Sequence, residues 1–279
     1  PPDGFATENY VNPRGGLPTY LMIRRIADMA ALTEEWLEPA RPVDAAVALL
    51  LSEASDLWEI GGKSQNAVRP DSEETNAFHE ERKNTYYCLR NAGYRVDLIT
   101  EADVREGWLE RYRALYVGGE NMERKTAEAI AEWVRKGGVL YASVGAARKD
   151  EYDEPLETLD DVLGRGAQTV YTRHRGPLRS KIELPFLKPL DRITLAGEEA
   201  KTFPALASVE RFSPTSEVAV LGCFGDGSPA FIRNRYGKGT AYYVGTKPAT
   251  AWLQKALPRL PCGKGGPERA ADGSPRYPS

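Results

Sequence analysis

The sequence predicts an α/β fold with a doubly wound, mainly parallel sheet, followed by a β-rich C-terminal section. Between residues 43 and 164, short apolar runs alternate with segments of helical periodicity, which is the pattern of βαβ units. The apolar runs are continuous, as is typical of strands buried on both faces of a parallel sheet. After Gly164, short β-rich runs separated by glycine turns replace this alternation.

The N-terminal segment, residues 1–42, is predicted to be a loop followed by a helical connector. Residues 1–16 are rich in Pro, Gly and Asn and lack periodicity, as loops do. From 17 to 37, apolar residues recur at the i, i+4, i+7 spacing of an amphipathic helix. Because the chain begins at Pro1 rather than at a methionine, we expect this connector to be the end of an upstream domain.

The segment 43–248 is predicted to form the α/β domain itself. Strands are expected at 46–51, 94–99, 114–118 and 138–143, with helices between them at about 72–91, 104–112 and 123–138. A long polar loop is expected from Glu53 to Glu73, and an antiparallel hairpin at Gly237-Lys238-Gly239. The β-rich section either extends the sheet or forms a small appendage. Residues 249–279 are predicted to be a short helix and a disordered tail.

The charge balance and the cysteines exclude several classes of function. The net charge of −3 comes from 37 basic and 40 acidic residues, so we expect no nucleic acid and no membrane as partner. No apolar run approaches the ~20 residues that cross a bilayer. Cys88, Cys223 and Cys262 lie too far apart for a zinc motif or a disulfide framework. We therefore expect neither a metal site nor a cofactor.

Ser143, at the end of the fourth predicted strand, is the one candidate catalytic residue. Ligands of open α/β sheets bind at the carboxyl ends of the strands. A serine nucleophile also needs a base and a group that orients the base. The two histidines, His79 and His174, stand in no motif for this role, and Tyr141 replaces the first glycine of a G-x-S-x-G elbow. The alternative is a serine that caps a turn or a helix.

Two charged segments near the strand ends are candidate ligand-binding or interface elements. The first follows the first strand and combines carboxylates with an aromatic ring, as sugar-binding sites do: Glu53, Asp56, Trp58 and Glu59. The second follows the serine and is either a solvated loop or an interface element with salt bridges: Arg148, Lys149, Asp150 and Glu151. Paired carboxylates also hydrolyse glycosides, but they need a fixed separation, which a single loop seldom provides.

Five stretches of the sequence carry a family signature. They are VALLLSEASDLW, YYCLRNAGYRVDLIT, RALYVGG, AIAEWVRKGGVLYASVGAARKDEYDEPLETLDDVLG and RNRYGKGTAYYVGT, which span roughly residues 43–247. They resemble the trimerisation domain of beta-galactosidases of glycoside hydrolase family forty-two. The strand and turn VLYASVG are similar to the nucleophile elbow of class I glutamine amidotransferases, which implies a flavodoxin-like, amidotransferase-like fold. The resemblance also implies catalytic glutamates on a (β/α)8 barrel upstream of Pro1, and a homo-oligomeric, trimeric parent.

These features lead to three expected functions. The first is a non-catalytic assembly or accessory domain of a beta-galactosidase-like glycoside hydrolase. The loop 53–70, anchored by Trp58, and the segment 148–151 would then lie against a neighbouring subunit, because so long a loop in a compact fold is usually functional. The second is a hydrolase or amidotransferase, which needs a histidine within reach of Ser143. The third is a carbohydrate-binding module, which needs an aromatic-lined cleft at Trp58.

Overall fold

The computed structural model of this chain describes residues 17–40, 43–61, 77–173, 184–197, 201–215 and 217–256. The chain divides into two compact units, residues 1–44 and 45–279. The described part of the first unit contains one helix, α1 (Leu17–Leu37), where the periodicity predicts it. Its apolar side chains are exposed, among them Met22, Ile26, Met29 and Trp36.

The second unit alternates strands and helices in its first half and consists mainly of strands in its second half. Its helices are α2 (Glu53–Gly61), α3 (Ala77–Asn91), α4 (Glu101–Arg105), α5 (Arg124–Lys136), α6 (Asp160–Leu163) and α7 (Pro248–Ala256). Its strands are β1 (Val47–Leu51), β2 (Val96–Thr100), β3 (Ala114–Val117), β4 (Val139–Ser143), β5 (Arg165–Arg173), β6 (Asp191–Leu195), β7 (Thr202–Ala205), β8 (Ser208–Pro214), β9 (Ala219–Phe224), β10 (Pro229–Tyr236) and β11 (Gly239–Val244). Short 3₁₀ turns lie at Trp108–Arg111 and Leu184–Phe186.

Among the described residues of this unit, nine strands form one mixed sheet in the order β2-β1-β3-β4-β11-β10-β9-β6-β7. The first five strands of this order run parallel to one another, which confirms the predicted α/β domain with its largely parallel sheet. The remaining pairs, from β11 to β7, are antiparallel. β5 and β8 form a separate antiparallel ribbon. The β-rich section therefore extends the main sheet and also supplies an appendage.

Strands β1, β3 and β4 are largely apolar because helices cover both faces of this part of the sheet. On one face, Leu115 and Leu140 lie in the main core cluster with Ile130 and Val134 of α5. On the other face, Tyr141 lines a small cleft together with residues of α3. Side chains on both faces of β3 and β4 are therefore shielded from water. This explains why polar and apolar residues do not alternate along these strands.

The glycines at the β10–β11 turn serve close packing. Gly237 has a φ of +59°, and a Cβ there would lie 2.6 Å from Arg135 O at the end of α5. Lys238 N donates a hydrogen bond to the same carbonyl at 2.9 Å. The turn thus closes an antiparallel hairpin, as predicted, and packs against a helix end.

The main correction to the predicted elements concerns the segment after β1. Glu53–Gly61 is the helix α2, whereas the sequence pattern predicts a loop from Glu53 to Glu73. Ser52 Oγ accepts a hydrogen bond from Ser55 N at 3.1 Å, as an N-cap does. Glu53 and Asp56 lie in the first turn, where acidic residues complement the helix dipole. The same acids that suggest a sugar site therefore favour the start of a helix. Residues 62–76 lie outside the described part of the chain.

Candidate functional site

Ser143 lies at the carboxyl end of β4, as predicted, but it is buried. Only 2 % of the residue is exposed, and its Oγ has no hydrogen-bond partner among the described residues. It therefore caps neither a turn nor a helix there. His174 and the side chain of His79 lie outside what the structure describes. A Cβ added to Gly118 would lie 3.3 Å from Ser143 Oγ, so the glycine turn after β3 closes over the serine.

The backbone N–H groups just after Ser143 are occupied by acceptors of the chain itself. Val144 N donates to Thr246 O at 3.3 Å. Gly145 N donates to Glu210 Oε2 at 2.8 Å and to Tyr243 Oη at 3.0 Å. In serine hydrolases of this architecture, the N–H after the nucleophile helps to stabilise the oxyanion. Here that turn is stabilised structurally, and its donors are not available to a substrate.

Glu210, on β8, is the centre of a buried charge network. Arg148 Nη2 contacts Glu210 Oε1 at 2.7 Å and Arg148 Nη1 contacts Asp160 Oδ2 at 3.1 Å. Arg165 Nε contacts Asp160 Oδ1 at 2.8 Å, and its guanidinium lies 4.8 Å from the Tyr243 ring centroid. Burial alone would raise the pKa of Glu210, but Arg148, Arg165 and the Tyr243 hydroxyl lower it below its ordinary value. The network holds the turn after β4 against β8.

The crevice between β1 and β3, where ligands bind in open α/β sheets, is filled by α2. Ser52 Oγ and Ser55 Oγ each donate to Asn121 O at 2.7 Å, and Asn121 N donates to Ser55 Oγ at 2.9 Å. A Cβ on Gly119 would lie 2.2 Å from Ser55 Oγ. Only glycine permits this contact, so the Gly118-Gly119 turn serves the docking of α2.

A small cleft remains on the α3 face of the sheet. It encloses about 250 Å³ counted out to its open mouth, and its lining includes Glu81, Tyr116, Tyr141 and Ser143. Much of this space is open to solvent, and the enclosed part has room for only about one water molecule. The cleft therefore does not enclose a sugar.

The buried carboxylate in this cleft, Glu81, is committed to α7. Its oxygens accept hydrogen bonds from Ala249 N at 3.1 Å, Thr250 N at 2.8 Å and Thr250 Oγ1 at 2.7 Å. Burial raises the pKa of Glu81, and Lys247 together with these hydrogen bonds opposes the rise. Glu81 thus caps the amino end of α7 and joins it to α3. It is not placed as a base for Ser143.

The two charged segments predicted as interface elements meet each other. Trp58 Nε1, on α2, donates to Glu151 O at 3.1 Å, and Glu151 Oε2 accepts from Arg124 N at 3.0 Å. The carboxylate of Asp56 is bound by Arg82 Nη1 at 2.9 Å. Glu53 is exposed at the start of α2, and Glu59 lies in the same helix. Of these carboxylates, that of Asp56 is therefore occupied within the domain.

The segment 148–151 is folded into the domain. Asp150 Oδ1 accepts from Tyr152 N at 2.8 Å and Glu154 N at 2.9 Å, and Asp150 Oδ2 contacts Arg124 Nη2 at 2.5 Å. Burial opposes ionisation of Asp150, yet these partners lower its pKa. Lys149 Nζ pairs with Asp153 Oδ1 at 2.8 Å. Neither reading of this segment, solvated loop or salt-bridged interface element, anticipates that Asp150 is only 1 % exposed.

Buried side chains that escaped the sequence reasoning include Glu81, Glu101, Asn121 and Glu210. Their signal is weak, because each stands in a helix, turn or strand without a motif around it. A glutamate on the inner face of an amphipathic helix, as at Glu81, is the only hint in the pattern. Its partners, at Ala249 and Thr250, are 168 and 169 positions away.

The described residues contain no group of three or more His, Cys, Asp or Glu side chains arranged to hold a metal ion. Among the helices described, none is both long enough and apolar enough to cross a membrane. The hydrogen bonds at the strand ends hold parts of the chain together.

The carboxyl edge also exposes large apolar side chains. Leu57 is 71 % exposed, Trp58 49 % and Tyr152 73 %. Trp58 and Tyr152 are neighbours, because Trp58 bonds to the carbonyl of Glu151. We refer to Leu57, Trp58 and Tyr152 as the carboxyl-edge patch. Ring-bearing side chains held this far out of the core are typical anchors of protein interfaces.

Comparison with known proteins identifies a family for most of the chain. A family model described as "Beta-galactosidase trimerisation domain" matches residues 45–261. No curated protein matches the chain in sequence.

The solved structures that are similar to this chain include larger enzymes. The chain is similar to a catalytic mutant of a GH42 beta-galactosidase from G. stearothermophilus, at 18% identity and a TM-score of 0.62 over 86% of this chain and 33% of the other. A beta-galactosidase from Rahnella sp. R3 is 20% identical, with a TM-score of 0.62 over 85% of this chain and 34% of the other. An exo-beta-1,4-mannosidase from an Opitutaceae bacterium is 16% identical, with a TM-score of 0.52 over 88% of this chain and 37% of the other. The chain spans about a third of the length of these enzymes.

Proposed function

The chain belongs to the beta-galactosidase trimerisation domain family. We propose that it is a non-catalytic accessory domain that holds together copies of a larger, beta-galactosidase-like glycoside hydrolase. The observation that carries the proposal is the carboxyl edge of the sheet. Where an enzyme of this architecture binds its ligand, buried hydrogen bonds fill the crevice, and an apolar patch faces outward.

The fold of the parallel half supports this assignment. Its strand order, β2-β1-β3-β4-β11, corresponds to the 2-1-3-4-5 order of flavodoxin-like sheets. We assign it to the flavodoxin-like, amidotransferase-like group on this basis. In that assignment the turn after Ser143 is a nucleophile elbow whose donors were taken over by Glu210 and Thr246.

The parent protein is proposed to be a homo-oligomer, a trimer by family, with its catalytic residues on another domain. Helix α1, whose apolar stripe is exposed, is then the connector to a preceding barrel. The segments proposed to face a neighbouring subunit are α2 and the turn 148–154. Of the candidate residues, Trp58 and Glu151 lie at this contact, whereas Asp56, Arg148 and Asp150 serve the internal structure of the domain.

The decisive test compares two exposed tryptophans. Trp58→Ala removes the central ring of the carboxyl-edge patch, and Trp108→Ala removes a ring that is 39 % exposed elsewhere. Sedimentation equilibrium of the full-length parent should show a weaker oligomer, by roughly tenfold or more in dissociation constant, for Trp58→Ala alone. If both variants assemble as the wild type does, the patch is not the assembly surface.

A carbohydrate is the second candidate ligand, favoured by the exposed rings of Trp58 and Tyr152. Aromatic faces beside carboxylates suit sugar rings, and the Glu151 carbonyl holds the indole in place. Titration of the chain with galactose and lactose, followed by tryptophan fluorescence in wild type and Trp58→Ala, tests this candidate. A saturable change that the variant loses would support sugar binding at the patch.

A further inference from the structure

Helix α2, which carries Leu57 and Trp58, is joined to its neighbours through one buried carboxylate. Glu101, the first residue of α4, is fully buried. Its Oε2 accepts a hydrogen bond from Ala54 N in the first turn of α2 at 3.2 Å. Its Oε1 accepts from Glu123 N, the N-cap of α5, at 2.9 Å. One side chain thus holds the amino ends of two helices, where backbone N–H groups lack partners within the helix.

The charged groups that face Glu101 come from all three helices around it. Glu53 on α2 brings a like charge. Arg105 on α4 brings an opposite charge, which it shares in an ion pair with Glu123 at the start of α5. The neighbouring acid of α4, Asp103, is taken up by the Thr100 cap, whose N and Oγ1 donate to it.

The carboxyl group of Glu101 consequently changes charge close to neutral pH. Burial is the largest influence and raises its pKa to about 7 from the ordinary 4.5. The N–H groups of Ala54 and Glu53 and the charge of Arg105 oppose the rise, and the charge of Glu53 adds to it. Unlike Glu210, Glu101 has no arginine hydrogen-bonded to its oxygens among the described contacts.

We propose that Glu101 is the positioning residue of the carboxyl-edge patch, and that its ionisation controls how firmly α2 is seated on the sheet. The seating itself follows from the contacts of Glu101. Its consequence for a neighbouring subunit rests on the proposed function, because only there does the position of Trp58 matter.

The direction of the effect follows from linkage. An opening that lifts the start of α2 admits water to Glu101 and returns its pKa towards 4.5. The closed form therefore binds the proton more tightly, and ionisation favours the open form. Helix α2 is firmly seated at acidic pH and loosens as the pH rises from about 4.5 through about 7.

Hydrogen exchange of the backbone N–H groups of 53–61, measured by mass spectrometry from pH 5 to 8, tests this inference. After correction for intrinsic exchange, the opening constant of the wild type should rise by up to about a hundredfold, since each unit of pKa difference contributes a factor of ten. Glu101→Gln should give a flat profile. Glu53→Gln removes the like charge and should move the midpoint to lower pH. Glu128→Gln, on the exposed face of α5, should retain the wild-type profile.

A flat wild-type profile, or a Glu101→Gln profile that follows the wild type, would overturn the proposal. If Glu101→Gln does not fold, the pH midpoint of hydrogen exchange in Glu53→Gln decides between the outcomes. A midpoint equal to that of the wild type would also overturn the proposal. Sedimentation of the parent at pH 5.5 and 8 separates this inference from the proposed function. Exchange that depends on pH supports the role of Glu101 in seating α2 even when assembly does not depend on pH, because the comparison of Trp58→Ala with Trp108→Ala tests the assembly surface separately.

Discussion

Glu210 and Glu101 are both fully buried at the carboxyl edge of the same sheet, yet their pKa values are displaced in opposite directions. Glu210 contacts Arg148 directly and has Arg165 nearby, whereas Glu101 relies on backbone N–H groups and a more distant Arg105. Burial opposes ionisation at both sites. The comparison teaches that hydrogen bonds from the backbone do not offset this desolvation here, and that desolvated guanidinium groups do.

Among the substitutions that test this comparison, the largest loss of stability is expected at Glu210. Glu210→Ala should lower the free energy of unfolding by about 3–5 kcal/mol, because it removes the buried carboxylate that Arg148 contacts and leaves Asp160 as the ion-pair partner shared by Arg148 and Arg165. Urea unfolding followed by circular dichroism measures the loss. The matched control is Asp226→Ala, which removes the exposed partner of Arg211 on the surface and should cost less than about 1 kcal/mol. Equal losses would contradict the assigned role of the buried network.

The pH dependence of stability should differ in sign between the two sites. The pKa of Glu101 is raised when folded, so its contribution to stability is greatest below pH 4.5 and is lost as the pH rises through about 7. The pKa of Glu210 is lowered, so its contribution is present above 4.5 and is lost as the pH falls through the folded pKa.

Unfolding of wild type and Glu101→Gln at pH 4.5 and pH 8 isolates the first contribution. Between pH 4.5 and pH 8, the free energy of unfolding of the variant should rise relative to that of the wild type by up to about 3 kcal/mol. A difference between the two proteins that stays constant with pH would show that Glu101 titrates normally.

Glu81 provides a third buried carboxylate, which sharpens the comparison. Lys247 is close to it, and yet burial keeps its pKa raised. Glu81→Ala leaves the N–H groups of Ala249 and Thr250 without their acceptor, so we expect a loss of about 2 kcal/mol. Glu81→Gln retains one acceptor oxygen and should lose less. Thermal unfolding of both variants is the measurement, and a larger loss for the glutamine variant would be contrary to this account.

Ser143 gives the smallest expected effect, since it is a neutral buried group with no described partner. Ser143→Ala should change the free energy of unfolding by less than about 1 kcal/mol in either direction, because no described hydrogen bond is lost with the hydroxyl. Side-by-side assays of wild type and variant on aryl galactosides, glutamine and simple esters should give the same turnover. A reproducible loss of activity in the variant would restore Ser143 as a nucleophile.

The alternation of apolar runs and helical periodicity by itself determined the α/β class, the parallel strands β1 to β4, the β10–β11 hairpin and the position of Ser143 at a strand end. These features depend on residues close together in the sequence, whose periodicity reports which faces are buried. The family resemblance, carried by turn and core residues, also followed from the sequence.

Only the tertiary structure decided that the carboxyl edge is filled. The acids of 53–59 predict a loop, yet Ser52 and Ser55 reach Asn121, more than sixty positions away, and make the segment a docked helix. Glu210 lies 65 positions from the Gly145 N–H that it occupies. Burial of a charged side chain is affordable only when its partners are in place, and those partners come together only when the sheet forms. A sequence pattern reports local periodicity and therefore does not contain them.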